Sequence, residues 1–457
     1  MGFLGLLIPA ALAGPTCRVT DHGAKGDGTT LDTAAIQAAI DACAGKKGGT
    51  VVVPGPASYL IGTILLKDHV TLHLEPGAVL LGSDDFKHYQ SIDPFVDGVN
   101  AVRGACLVGA ENASDIAITG TGTIDGRGEL WTRDHPERGR RPFLVRFVRC
   151  RHVRLSGVLL TRPAAWTCNL YQCRKVRIDQ LRIDSHANAN NDGIDLDGSQ
   201  DVRITRSTID SGDDAICFKT TSLVPTEDVT VTDCDIKSRW GAFKWGTESL
   251  GDMRRFRISR CRIRDTAGGG FKILSADGAL VEDIEIRDVT LDNVDMPISF
   301  LLRSRRRSYR DLPRRDDIGT IRNVRIENVT GRAADTGRVN PPAGILASGL
   351  PGHPLENVVL RHIRLSIAGG AVTSDVPKEV PLQEGDYPEY SRLGVLPAWG
   401  AYVRHARGMR FQDVVLEARQ PDARPEIVVE DADIVGKNAG APGKTPAGMA
   451  PSPTPSR

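Results

Sequence analysis

Carboxylates cluster in the middle of the chain at a spacing that can do acid–base chemistry. Asn190-Asn191-Asp192-Gly193-Ile194-Asp195-Leu196-Asp197 is followed closely by Ser211-Gly212-Asp213-Asp214-Ala215-Ile216-Cys217-Phe218-Lys219. Taking Ile194 and Ile216 as equivalent inward positions gives an offset of 22 residues and sets Asp192 beside Asp214, so three acids share one patch. Like charges a few ångströms apart push one pKa upward, which keeps a general acid protonated beside ionised bases. Stacked strands lie about 4.8 Å apart, so carboxylates one or two layers apart bracket the roughly 6.5–9.5 Å that inverting glycoside hydrolysis needs for a water between acid and base. A lone Asp at a turn more often caps it or binds calcium; three converging acids are not explained that way.

Extending the alignment through Ile194, Ile216, Phe243 and Phe271 makes Asp195, Cys217, Lys244 and Lys272 an outward row with offsets of 22, 27 and 28 residues. Lysines on such a row are merely solvated unless a cleft encloses them, in which case they would meet an anionic substrate. Trp166, Trp240 and Trp245 can supply sugar-stacking faces or serve the core. The candidate catalytic residues are thus Asp192, Asp213 and Asp214, and the candidate substrate-binding residues are Asn190, Lys219, Lys244, Lys272 and Trp240. The ten histidines form no H-x-x-x-H cluster, and no P-loop, nucleotide fingerprint or G-x-S-x-G elbow stands in a credible context. No metal or cofactor is expected.

These residues need elements to hold them, and the repeats supply those elements. Val153-Arg-Leu, Val176-Arg-Ile, Val202-Arg-Ile, Val229-Thr-Val, Phe256-Arg-Ile and Ile284-Glu-Ile begin 23, 26, 27, 27 and 28 residues apart, with later copies at Val324 and Val358. Second short alternations follow each, with Gly, Asp and Ser at the corners. Period-2 alternation broken every few residues cannot form an amphipathic helix, and a sandwich gives no reason for a constant coil of about 25 residues. The expected fold is all-β, a single right-handed parallel β-helix, over residues 15–436. Ala34, Ile36, Ala39 and Ile40 lie at helical spacing between Thr33 and Ala44 and would cap the open end, which otherwise exposes strand edges.

The first 14 residues are apolar and end in Ala11-Leu12-Ala13, a secretory-signal pattern without a basic n-region. No later apolar run approaches the roughly 18–20 residues that span a bilayer, so the mature chain is expected to be soluble, secreted or periplasmic. Residues 437–457, rich in Gly, Ala, Pro and Ser, read as a disordered tail. Nine cysteines are too few for a disulfide scaffold; Cys17 and Cys43 flank the first folded segment and can be bridged, Cys234 and Cys261 should stack, and the others read as small buried residues. Against 457 residues, 58 basic and 57 acidic side chains leave a net charge of +1, so no global field draws the chain to nucleic acid or anionic lipid. Seven arginines between Arg303 and Arg315 read as a solvated loop, or as a guide for an acidic polysaccharide along a groove. A solenoid buries its own core, so a monomer is expected.

The sequence resembles glycoside hydrolase family 28, the polygalacturonases and their relatives. Asn190-Asn191-Asp192-Gly193-Ile194-Asp195 is similar to the family's N-T-D-G-x-D element and Gly212-Asp213-Asp214 to its G-D-D element. Gly23-Ala-Lys-Gly-Asp-Gly-Thr-Thr, Leu72-His-Leu-Glu-Pro-Gly-Ala and Arg141-Pro-Phe are similar too. The resemblance covers roughly residues 17–430 and implies hydrolysis of α-galacturonosyl links in pectin with inversion, no metal, Asp213 as general acid, and Asp192 with Asp214 activating water. Two elements depart: the G-H-G element falls on Arg239-Trp240-Gly241, and the R-I-K element on Lys272-Ile273-Leu274. Exo-acting or rhamnogalacturonan-directed specificity therefore stays open. A calcium-dependent β-helical pectate lyase and a noncatalytic β-helical carbohydrate-binding surface protein are the rival readings.

Overall fold

The computed structural model describes residues 14–436. Apart from Gly14, the leader read over residues 1–14 lies outside the described residues, as does the tail over 437–457.

Thirty-four strands join in one sheet that winds as a right-handed β-helix. Every ladder is parallel except that between Gln90–Val96 and Val102–Glu111. A middle coil runs through three strands: Arg174–Asp179, Arg182–Ser185 and Ile194–Asp197, followed by Gln200–Thr205, Thr208–Ser211 and Ile216–Thr220 in the next. The alternation seen in the sequence is the register of the stack: Val153, Val176, Val202, Val229, Phe256, Ile284, Val324 and Val358 pair in succession. All eight are buried, so each layer contributes an apolar side chain to a continuous column, and neighbouring layers supply the contacts one coil could not make alone.

The corners differ from expectation. The residue before each of these column positions adopts a left-handed conformation, and it is His152, Lys175, Asp201, Asp228, Arg255, Asp283, Asn323 and Asn357 in turn, with φ between 51° and 61°. Glycine is absent from this corner; Asp and Asn, whose short polar side chains tolerate that region, hold half or more of the places.

The helix Thr33–Gly45 closes the N-terminal end with Ile36, Ala39, Ile40 and Cys43 buried. Ala34, read as part of that face, is exposed, and Cys43 takes its place, tied by a disulfide to Cys17. The other seven cysteines are free and buried. Pairing of Asp235 with Arg262 sets Cys234 beside Cys261.

Three excursions leave the coil and matter for function. The antiparallel pair folds back over the N-terminal part of the sheet face that carries the acids, and packs Ile92 and Phe95 against Phe143, Trp166 and Tyr171. A long insertion after Ile367 covers the C-terminal part of the same face, with Tyr390, Leu393 and Leu396 on Leu274, Leu301 and Leu346. The third is the arginine-rich segment, whose reading as a solvated loop is corrected. Arg305 pairs with Asp277 at 2.7 Å, Arg310 with Asp93 at 2.6 Å and Arg315 with Asp252 at 2.7 Å. Arg307 donates to the carbonyls of Gly98 and Asp97. Carboxylates and carbonyls on distant segments make this run a strap that fastens the N-terminal excursion.

Candidate active site

The rows inferred from spacing are in register. Ile194 pairs with Ile216, Ile216 with Phe243 and Phe243 with Phe271, so Asp195, Cys217, Lys244 and Lys272 stack on four consecutive strands. That row is not solvated: all four side chains are buried beneath the excursions.

Backbone hydrogen bonds and small hydroxyls aim the acids. Asn191 donates its side-chain amide to the carbonyls of Pro163 and Ala165 and accepts from the N–H of Asn188, fixing the turn that presents Asp192. Ser185, Ser211 and Ser238 occupy one register column. Ser211 and Ser238 both donate to the Asp213 carbonyl, at 2.6 and 2.7 Å, and Ser185 donates to that of Asn191. Asp213 itself accepts from the N–H of Asp214 at 2.9 Å.

The three acids have different electrostatic surroundings. Asp214 is met by the Lys244 ammonium at 2.7 Å, by Lys272 at 3.6 Å and by the Gly241 N–H at 3.1 Å. Burial alone would raise its pKa, but the two lysines outweigh it and hold the carboxyl at about 2, ionised. Asp213 is raised above the ordinary carboxylate value by burial and by the Asp214 charge beside it, which favours its protonated form. Asp192 is raised further, by burial first and then by Asp195 and Asp213; Lys219 stands 3.4 Å away. One carboxylate of the trio is thus a ready base and one a ready acid.

Asp192 and Asp214 each bring a carboxylate oxygen, with the Cys217 thiol, into a group of atoms within 4.8 Å of one another. The chamber in front of them has about 30 Å³ of free volume, enough for a water or two and too small for a sugar. It adjoins a pocket of about 610 Å³, within the range of small-molecule sites. Val99, Asn190, Asp213 and Tyr387 line both, so the raised acid stands between the water-sized chamber and the sugar-sized pocket.

Of the other residues picked from sequence, Asn190 lines the cavity with its side-chain oxygen accepting from Arg141 at 3.3 Å. Lys219 pairs with Asp192, Asp195 and Glu248 and lies 4.1 Å from the centre of the Trp166 ring. Trp240 walls the outer pocket, but its ring carries the Arg338 guanidinium 3.5 Å from its centre and its N–H donates to Glu389. Trp245 is fully buried between Phe218 and Phe256. Leu274, where the family's second cation would fall, is sealed under the C-terminal insertion.

Glu248, Tyr387 and Glu389 were not read as site residues. Glu248 reaches the cavity because the strand Phe243–Ser249 bulges: Phe218 pairs with Trp245 but Thr220 with Ser249, which throws extra residues inward. There it accepts from Lys219 at 3.2 Å and from the Gly98 N–H at 2.7 Å, and against its burial Lys219 holds its pKa at about 2. Gly246 inside a strand pattern was the available signal. Tyr387 and Glu389 arrive on the insertion: Glu389 accepts from Lys272 at 2.7 Å, and the Tyr387 hydroxyl accepts from Thr247 at 2.9 Å.

The chain is similar to curated proteins and to solved structures. A probable polygalacturonase of Vitis vinifera is 30% identical over 294 residues, 60% of each chain. An exo-poly-alpha-D-galacturonosidase of Dickeya chrysanthemi is 31% identical over 253 residues, 44% of this chain and 41% of that one. The chain thus spans 60% or less of the length of these two curated relatives. Among solved structures, the family 28 exopolygalacturonase of Yersinia enterocolitica superposes with a TM-score of 0.74 at 20% identity, covering 93% of this chain and 79% of that one. A hyperthermoactive exopolygalacturonase from Thermotoga maritima gives 0.67 at 23%, covering 78% and 88%; at these identities the likeness is one of fold. The family model described as glycosyl hydrolases family 28 matches residues 66–376, which include the three acids and both lysines of the stacked row, and the chain belongs to that family.

Proposed function

We propose that the protein is a secreted, inverting glycoside hydrolase that removes α-linked galacturonosyl units from the ends of pectic chains. The observation that carries this reading is the placement of Asp213, an acid with a raised pKa, between a water-sized chamber at Asp192 and Asp214 and a sugar-sized pocket. With the anomeric carbon at that boundary, Asp213 gives its proton to the glycosidic oxygen as the bond to the leaving sugar breaks. Water in the chamber loses a proton to ionised Asp214, its oxygen attacks the anomeric carbon from the opposite face, and the configuration inverts. Lys244 and Lys272 keep Asp214 ionised until it takes that proton.

End-wise action is supported by the excursions. One apolar cluster packs over the acid-bearing face on its N-terminal side and another on its C-terminal side, an arrangement that favours entry of a chain end over a polymer lying along the coil axis. The names of the Dickeya, Yersinia and Thermotoga relatives point the same way. Digestion of polygalacturonate, compared with rhamnogalacturonan, tests the reading: early monomer from the first supports it, and an oligomer ladder refutes end-wise action. An unsaturated, ultraviolet-absorbing product would identify elimination instead, and no release from either polymer would favour a binding protein.

A further inference from the structure

The cavity's three lysines are all engaged by protein carboxylates. Lys219 has Asp192, Asp195 and Glu248 around it, Lys244 has Asp214 at 2.7 Å, and Lys272 has Glu389 at 2.7 Å. An incoming carboxylate would have to displace one of these partners inside a buried site, leaving that partner desolvated and unpaired. Two other cations line the outer pocket and have no such partner. The Arg338 guanidinium donates to the carbonyls of Ala267 at 3.0 Å and Arg239 at 3.4 Å while lying on Trp240. Arg392 is exposed at the pocket wall. Neither makes an ion pair with a described carboxylate, although most exposed arginines along the solenoid do.

The charge of this pocket follows directly. Its two acids are Asp213, whose carboxyl burial and the Asp214 charge hold above the ordinary value, and Glu389, which Lys272 neutralises. Neither guanidinium is ion-paired among the described residues, Arg338 feeling the Asp295 carboxylate only at longer range, in a chain that is nearly neutral overall. A guanidinium offers a planar fork that matches a carboxylate, which an ammonium does not.

We propose that Arg338 and Arg392 form the carboxylate-binding site of the outer pocket, gripping a uronate unit next to the bond at Asp213, while Glu389 keeps that carboxylate off Lys272. The identity of the ligand rests on the hydrolase reading above; the existence of an anion site does not. Trigalacturonate and its methyl ester are titrated calorimetrically into the Asp213→Asn protein, with and without Arg338→Ala and Arg392→Ala. Each arginine variant should raise the Kd of the free acid about tenfold, more weakly as salt is added, and leave the ester within a factor of about two. Because Arg392 is exposed, its variant also answers the objection that losing Arg338 merely loosens Trp240. An unchanged Kd for the acid in both variants, equal losses for acid and ester, or no binding of the acid overturns the proposal. If wild-type protein releases no sugar while the Asp213→Asn protein binds the acid through these arginines, the hydrolase reading fails and the site stands.

Discussion

Asp213 and Asp214 are adjacent in sequence yet their pKa values are pushed in opposite directions, because both lysines face Asp214 and none pairs with Asp213. Replacing Asp213 by Asn removes the acid while keeping its shape; kcat should fall by about 10²–10⁴-fold with little change in KM, measured by release of reducing ends. The pH profile follows from the same shifts. Activity should fall as pH rises through the elevated pKa of Asp213, because the acid is lost, whereas the limb set by Asp214 lies near pH 2, where it would take up a proton. Asp195 gives a stability signature. Burial pushes its pKa to about 7, with Lys219 opposing, so the folded state binds more protons than the unfolded chain from about pH 4 to 7 and this group's contribution to stability falls across that window. Asp195→Asn should flatten that part of the thermal-denaturation profile. Space is as strict as charge: a Cβ at Gly241 would lie 2.7 Å from an Asp214 carboxylate oxygen and 2.6 Å from Lys272 Cδ, so Gly241→Ala should cost both activity and stability. The trio and the lysine row were legible in the sequence because a solenoid converts a constant residue offset into spatial contact. Glu389 and Tyr387 were not, since they sit on an insertion outside the repeat and reach the site across more than a hundred residues.

At the scale of elements, one column of serines and two apolar lids position the chemistry. Ser211→Ala and Ser238→Ala each remove one hydroxyl from the Asp213 carbonyl. Each should cost about 1 kcal/mol, and the double variant should lose kcat more than KM as the acid drifts, an effect read by kinetics beside chemical denaturation. The repeat was visible in sequence and its register came out column by column. The excursions were not, because their strands and loops pack on the solenoid rather than continue it, and nothing in their local pattern states which coil they will cover. The arginine-rich strap shows why composition misleads there: Arg305, Arg307 and Arg310 look like a solvated run until Asp277, the Gly98 and Asp97 carbonyls, and Asp93 are brought to them by folding.

The whole molecule is a column of layers, capped at one end by a helix and roofed over one face so that a groove becomes a pocket. The cap is fastened by the Cys17–Cys43 disulfide across 26 residues. Removing it by paired serine substitutions should lower unfolding stability by about 3 kcal/mol while leaving kcat unchanged, since the cap lies away from the acids. The near-zero net charge hides a strongly ordered interior, in which lysines fix the ionisation of the acids and unpaired arginines stand at the pocket wall. The proposed inverting, end-wise hydrolysis draws on all three scales at once, and one measurement reads them together: proton NMR of a polygalacturonate digest followed from the first minutes. Galacturonate monomer should appear from the outset as the β-anomer, the inverted product of an α-link. Monomer released first as the α-anomer, a ladder of oligomers, or an unsaturated product would contradict it.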